Sequence, residues 1–397
     1  MTAAAQFIDS PVLPAPIYLD HNATTRPLPE VMDVVARTMA ETWANPSSAH
    51  WLGGKARAVL ERARDDICDL VSGAMSEGVV FTSGGTEANN IILGGGDPTP
   101  AWRCVITSRV EHASVLRPAE ALARRGCKLM VVDVSGDGII DPEALRRAAA
   151  AAPLGPLVVS VQWANSETGV VQPVADLVAA VRTARPDALF HSDTAQAVGR
   201  LRMDLSAVGL DAVSFSGHKL HAPHGTGALI LVSPDENRVG PLMHGGGQER
   251  GLRSGTHNVP GIAGLGLAAA TRARSLDKAI ACMSATRDAF ENELAAMYNG
   301  IIVNGVTAHR LPNTSNIQFP GCDGMEIVAR LDALGVACSL GSACSSGKPE
   351  PSHVLRAMGL SAADAFSSVR FSFSAYDTID EARRAARAVA CSLRGRA

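Results

Sequence analysis

Ser216-Gly217-His218-Lys219 is the first place in this chain where residue types and spacing point to covalent chemistry. The quartet follows an apolar run, residues 212–214, that reads as a strand. A lysine at a strand's end, set among serine, glycine and histidine, is placed to form a Schiff base with a carbonyl. Such a lysine is most useful with pyridoxal phosphate, and that cofactor makes further demands on the chain. Its phosphate needs an anion cradle. Thr82-Ser83-Gly84-Gly85-Thr86-Glu87 lies between a strand-like and a helix-like segment, so backbone N–H groups, hydroxyls and a helix N-terminus meet there. Its pyridine nitrogen needs a carboxylate, which makes the ring an electron sink. Asp193 ends the run 188–191, and Gln196, three residues on, is in reach of the phenolic oxygen. Its ring face takes an aromatic or imidazole partner, and His112 follows the run 104–107. Asn165-Ser166-Glu167 follows the run 157–162 and adds polar groups at the same edge.

Each of these residues alone also fits a commonplace role. Lys219 could be a surface lysine, Gly84-Gly85 a plain turn, Asp193 a helix N-cap and His112 a loop histidine. Their joint placement, each after a separate strand, favours the cofactor reading, because open α/β sheets bind ligands at the carboxyl ends of their strands. Two further residues lie later in the chain. Arg370, in Ser368-Val369-Arg370-Phe371-Ser372, can clamp a substrate carboxylate bidentately. Cys344, in Gly341-Ser342-Ala343-Cys344-Ser345-Ser346-Gly347, sits between glycines on a small-residue loop and is the best candidate for a reactive thiol. Three patterns are set aside. His218, His221 and His224 have metal-like spacing but are interrupted by Lys219 and Pro223. His244-Gly245-Gly246-Gly247 resembles an oxyanion motif, but no G-x-S-x-G nucleophile elbow accompanies it. Gly341 to Lys348 is one residue too long for a P-loop, and Pro349 stands where Ser or Thr belongs.

The elements that must position these residues are readable as periodicity. Strand-like runs fall at 79–82, 104–107, 129–134, 157–162, 188–191, 212–214 and 228–232, and helical stretches at 28–43, 56–71, 86–93, 114–124, 141–151 and 174–185. Several strands are continuous apolar runs, the mark of a mainly parallel sheet covered on both faces. After Pro260 a long Ala-rich helix runs over 262–298. Strands follow at 315–319 and 369–374, helices at 325–334 and 379–393, and a Gly/Ser-rich loop at 339–347. The expected fold is α/β, with a seven-stranded, mainly parallel sheet in a large domain, 26–272. A smaller α+β domain, 1–25 with 273–397, carries the Cys344 loop. The length of 397 residues suits about two domains.

Composition excludes several classes. The net charge of −3 lacks the basic excess of a nucleic-acid binder. No apolar run approaches the ~20 residues that span a bilayer. The opening MTAAAQFIDS carries no Lys or Arg, which argues against a secretory signal. Eight cysteines include no C-x-x-C and are too sparse for a disulfide scaffold, so reduced thiols in a cytoplasmic protein are expected.

Taken together, the motifs resemble the cysteine desulfurases of the NifS/IscS type, fold-type I pyridoxal phosphate enzymes of the class V aminotransferase family. The resemblance runs through nearly the whole chain. It rests on Tyr18-Leu19-Asp20-His21-Asn22-Ala23-Thr24-Thr25, Asn45-Pro46-Ser47-Ser48, residues 81–89, Glu111-His112, Ser214-Phe215-Ser216-Gly217-His218-Lys219, residues 244–255 with Thr256, and residues 341–344. It implies that Lys219 holds the cofactor as a Schiff base, that Asp193 and Gln196 hold the ring nitrogen and phenolate, and that His112 stacks on the ring and moves protons. Gly85, Thr86, Ser216, Gly217 and His218 would surround the phosphate, with Thr256 of the partner subunit in a homodimer. Asn45 and Arg370 would take the carboxylate of L-cysteine, and Cys344 would accept its sulfur as a persulfide. No permanent metal is implied, Cys344 serving at most as a transient iron–sulfur ligand.

One departure is plain. The family usually has Asn-Asn-Glu where this chain has Asn165-Ser166-Glu167, which leaves open whether Ser166 or Asn165 meets the cofactor. The chain ends at Ala397, without the longer scaffold-docking tail of housekeeping members, so the reading leans NifS-like. The sulfur acceptor would be an iron–sulfur scaffold, in nitrogenase cluster assembly for nitrogen fixation, or another acceptor protein, with no nucleic acid or membrane partner. The alternatives are a housekeeping IscS-type donor serving iron–sulfur clusters and tRNA thiolation, a selenocysteine lyase, a class V aminotransferase and a non-enzymatic docking scaffold.

Overall fold

The computed structural model describes residues 15–94, 102–233, 238–341 and 350–393. The strands are β1 (Ile17–Tyr18), β2 (Val79–Thr82), β3 (Cys104–Ser108), β4 (Lys128–Val132), β5 (Leu157–Ser160), β6 (Leu189–Asp193), β7 (Ala212–Ser216), β8 (Gly227–Leu231), β9 (Ile302–Val303), β10 (Thr314–Gln318), β11 (Val336–Ala337) and β12 (Ser368–Ser372). The helices are α1 (Pro29–Glu41), α2 (Trp51–Leu70), α3 (Gly85–Gly94), α4 (Ala113–Arg124), α5 (Pro142–Ala151), α6 (Val174–Ala184), α7 (Leu205–Val208), α8 (Val259–Met297), α9 (Gly324–Ala333), α10 (His353–Ala357), α11 (Ala362–Phe366) and α12 (Ile379–Leu393).

Seven strands form one sheet in the order β2-β8-β7-β6-β5-β3-β4. Only β8 runs against its neighbours, pairing antiparallel with both β2 and β7. Except for the half-exposed edge strand β4, the strands are short and buried on both faces, and each face feeds its own core. In β3, Cys104 and Ile106 enter the core built with α2, α6 and the first half of α8, while Val105 enters the one built with α3 and α4. In β5, Leu157 and Val159 share the first core and Val158 the second. The chain leaves β3 outward to β4 but leaves β5 the other way to β6. The crevice where those directions diverge is where open α/β sheets bind ligands.

A second set of strands lies apart from this sheet. β12, β10 and β9 form an antiparallel sheet, and β1 pairs parallel with β11. Their core combines Ile17 and Leu19 with Phe319, Phe371 and Phe373, and with residues of α9, α12 and the end of α8. The Phe290 ring packs 4.7 Å from Phe371 and 5.5 Å from Phe373.

The expected strands and long helices are present with shifted ends. The helix expected from residue 56 begins five residues earlier, at Trp51, because the His50 imidazole caps it by accepting from the Gly53 amide at 3.2 Å. β5 stops at Ser160, two residues short of expectation, and β6 continues to Asp193. β1, β9 and β11 were not expected, since two residues are too few to show a period.

Candidate active site

The carboxyl ends of β2, β3, β5, β6 and β7 open onto one cavity of about 210 Å³. Each strand is followed there by residues singled out above: Gly85 and Thr86, His112, Ser166, Asp193 and Gln196, then Ser216, His218 and Lys219. Ala23 closes the cavity from the N-terminal segment.

Lys219 ends a single 3-10 turn, Gly217–Lys219, that directly follows β7. The turn packs too tightly for a side chain at Gly217, where a Cβ would come 2.5 Å from Thr226 Oγ1. Burial holds the Lys219 amine well below the usual lysine range, at about 8. The positive charge of Arg200 adds to the shift, as does that of Arg370, while Asp193 and Asp20 partly offset it. Near neutrality a useful fraction of this amine is therefore an uncharged nucleophile.

Asp193 is fixed from two sides. One carboxylate oxygen accepts from the Ala195 amide at 2.9 Å, the other from Asn89 Nδ2 at 2.8 Å. Asn89 lies on the buried side of α3, one turn beyond Gly85, and also donates to Ser114 Oγ at 2.8 Å. The Ser114 hydroxyl stands 2.7 Å from His112 Nδ1, which accepts the Ser114 amide as well at 3.1 Å. Nδ1 is thus an acceptor, and the ring proton belongs on Nε2. Burial pushes the His112 pKa down, with Lys219 and His353 adding and Asp193 opposing, so the ring is held neutral. Asn89 accepts from Ser214 Oγ, which meets His191 Nε2 at 3.2 Å. Burial lowers His191 to about 4.

The opposite end of the cavity is built for an anion. α3 starts at Gly85, whose amide donates to Ser216 Oγ at 2.8 Å, and a Cβ there would come 2.9 Å from that oxygen. The one acidic residue in this first turn, Glu87, is neutralised by Arg253 at 2.8 Å and accepts from the Ser83 amide. His218 Nδ1 lies 3.1 Å from Thr24 Oγ1, and its ring stacks on His224. Burial, then Lys219, lowers its pKa to about 4. His221 faces elsewhere, between the Arg26 carbonyl and Ser374. Among the described residues no three His, Cys, Asp or Glu side chains gather as metal ligands.

Several candidates do not line the cavity. Asn165 spends its side chain on the Val110 carbonyl at 3.1 Å and on the amides of Glu167 and Thr168, so of the pair left open it is Ser166 that faces inward. Asn45 is exposed and accepts from the Ser47 amide at 2.9 Å. Thr256 is exposed. Arg370 is buried behind the wall, donating to the carbonyls of Ser166 and Gly341, both at 3.0 Å, and pairing with Asp20 at 2.6 Å, while its Nε has no partner. Cys344 lies outside the described residues. Asn89 and Glu111 stood within the family motifs without an assigned role, and Ser114 in none of them. Glu111 is wholly buried and accepts from the Gln162 amide at 2.8 Å, and burial raises its carboxyl to about 8. Their signal was polar side chains in otherwise buried segments.

A buried amine with a lowered pKa, a fixed carboxylate, a neutral imidazole and a helix N-terminus around one cavity are what pyridoxal phosphate requires. The family model of the class-V aminotransferases matches residues 17–384. The chain belongs to that family. A cysteine desulfurase from Bradyrhizobium diazoefficiens is 44% identical over 94% of both chains. A solved NifS-like protein superposes with a TM-score of 0.86 at 31% identity, covering 96% of this chain and 99% of its own. The structure of SspA in complex with cysteine does so with a TM-score of 0.78 at 30% identity, covering 91% and 100%. This member of the class-V aminotransferases is a pyridoxal-phosphate-dependent enzyme in the cysteine desulfurase group, of the NifS/IscS type.

Proposed function

We propose that this enzyme removes sulfur from L-cysteine, giving L-alanine and a persulfide on Cys344. The observation that carries the reading is the buried Lys219 amine, its pKa lowered to about 8, facing Asp193 and His112 across one cavity. Gly85, Thr86, Ser216 and His218 hold the phosphate end, Asp193 the ring nitrogen, and Gln196 and Ser166 the phenolic side. Thr256 of the partner subunit completes the phosphate site in a homodimer. Held there by these residues, the cofactor would supply an electron sink for the pair left on the substrate's α-carbon. Lys219 takes the α-proton as a base, and the neutral His112 ring carries protons at Nε2. Asn45 and Arg370 are the residues that the family pattern offers for the substrate carboxylate; neither lines the cavity here, so taking it requires Arg370 to exchange its pairing with Asp20. The Cys344 thiolate forms a new S–S bond to the substrate sulfur. As the substrate Cβ–S bond breaks, its electron pair stays on Cβ, which takes up the proton given up by the substrate thiol, while Lys219 returns the α-proton to Cα; alanine leaves and the outer sulfur stays on Cys344 as the persulfide. The cysteine complex of a structural relative supports the choice of substrate.

The persulfide then passes to an acceptor, which we take to be an iron–sulfur scaffold in a reducing, cytoplasmic setting. Whether that scaffold serves nitrogenase or general supply is decided by which scaffold it loads. No helix among the described residues is long and apolar enough to cross a membrane. The two separate cores support the division into domains 26–272 and 1–25 with 273–397, which α8 bridges. Cys344→Ala is expected to abolish alanine formation and keep the cofactor, and Lys219→Ala to lose the visible absorption of the bound cofactor. Alanine release at the wild-type rate by Cys344→Ala would overturn the reading, in favour of a lyase that needs no thiol.

A further inference from the structure

The proposed reaction gives Glu167 no task, yet few side chains in the molecule are so thoroughly surrounded. It is buried in the turn that follows β5, next to Ser166 on the cavity wall. Its amide donates to Asn165 Oδ1 at 2.8 Å, and its carbonyl accepts from Asn316 Nδ2 on β10 at 3.2 Å, so it is fixed from both cores. Oε2 of its carboxyl group accepts from Ser352 Oγ at 2.5 Å. Gly341 backs onto the same oxygen, so closely that a Cβ would come within 2.6 Å of it, and the Gly341 φ of +111° suits only glycine.

Gly341 and Ser352 are no arbitrary pair. Gly341 immediately precedes residues 342–349, and Ser352 stands three positions beyond them. Both stems are secured again nearby. Arg370 donates to the carbonyls of Gly341 and Ser166. His353 Nε2 donates to the Glu111 carbonyl at 3.0 Å, beside His112, and Ser352 Oγ caps α10 by accepting from the Leu355 amide.

We infer that Glu167 is a positioning residue that pins both stems of the Cys344-bearing segment to the wall of the cofactor cavity. The inference rests on the reading of Cys344 as the sulfur acceptor. A short segment held at both ends beside its target meets it far more often than a free chain would. Glu167 thus acts on the rate of sulfur capture and not on the binding of cofactor or cysteine. Because Gln keeps an oxygen for the Ser352 hydroxyl, Glu167→Gln should be the mild variant and Glu167→Ala the severe one.

The test uses the cofactor-loaded enzyme. Glu167→Ala, Ser352→Ala and Gly341→Ala should each slow single-turnover alanine formation by about tenfold or more, with Glu167→Gln losing less than about threefold. Cofactor content, and the cysteine dissociation constant read from the absorbance change on mixing, should stay within about twofold of wild type. The Glu167→Ala/Ser352→Ala double variant should be no slower than the slower single one, since both remove the same contact. Loss of cofactor or of cysteine affinity in step with the rate, multiplying effects in the double variant, or wild-type rates would each overturn the inference. Should Glu167→Ala not fold, Ser352→Ala and Gly341→Ala carry the same test. Wild-type alanine formation by Cys344→Ala would instead overturn the underlying reaction, a separate result.

Discussion

Burial makes Lys219 a nucleophile, and that gives its chemistry a definite pH dependence. With the folded-state pKa at about 8, the uncharged fraction of the amine grows by about tenfold per unit up to that point and then levels off. Capture of added pyridoxal phosphate by the cofactor-free protein should follow that curve, read as the growth of visible absorption between pH 6 and 9. The same shift acts on stability. Between about 8 and the unfolded value of 10.5, the unfolded chain binds more protons than the folded one, so stability rises with pH there. Below about 8 the penalty of burying the charged form is fully present. Replacing Lys219 with Met should therefore raise the urea midpoint of the cofactor-free protein at pH 7 and raise it less at pH 10. Lys219, Asp193 and His112 were legible in the sequence because each chemical type follows a strand. Asn89 was not, because its meaning is spatial. It joins Asp193, 104 residues further along the chain, to Ser114, 25 residues further along, and through Ser114 to His112, and these come together only once the sheet is assembled.

Between β8 and α8 the chain makes a turn that would be unfavourable by itself. Glu249 and Arg250 take left-handed φ values of 49° and 54°, which cost non-glycine residues about 1–2 kcal/mol each. The turn is held by its own buried carboxylate. Glu249 pairs with Arg64 of α2 at 2.6 Å and with His257 at 2.7 Å, and accepts from the Phe81 amide of β2 at 2.7 Å. Burial alone would raise the Glu249 pKa, but the hydrogen bonds from His257 and Arg64 outweigh it and hold the carboxyl at about 2. Glu249→Gln should cost on the order of 3 kcal/mol at pH 7, because it leaves the buried Arg64 charge with only the exposed Glu61 at 3.4 Å to balance it. The depressed pKa contributes stability above the unfolded value of 4.5 that is lost as pH falls toward about 2. The gap between wild type and variant in urea midpoints should therefore narrow from pH 5 to pH 3. The sequence marked residues 244–255 only as part of a family motif and not as a left-handed turn, since Glu and Arg are ordinary loop residues until their backbone angles are known. The regular elements were legible because they carry a period, as α1 and α2 do, or a helix-forming composition, as the Ala-rich α8 does over its 39 residues. β1 and β11 carry none and are defined by each other.

At the scale of the whole molecule, the first described residues and the last belong together. Ile17 and Leu19 share one core with Phe371, Val389 and Leu393, and Asp20 pairs with Arg370. Asn22 then reaches the turn beside the cavity, donating to the Ser166 carbonyl at 3.1 Å. The N-terminal segment is thus structurally part of the end of the chain while it touches the site in the middle. On chains stalled at about residue 330, limited proteolysis should cut within 15–25 and spare the sheet strands 79–231. Equal protection of both regions would show that the segment docks without β11 and β12. The consequence is one of timing during synthesis. At roughly 5–20 residues per second, the β1 segment emerges from the ribosome some tens of seconds before the β11 strand it pairs with. For that interval Ile17 and Leu19 have no core to enter, and the cell carries a half-made enzyme whose exposed N-terminal segment must be kept from the wrong neighbours until its last residues are translated.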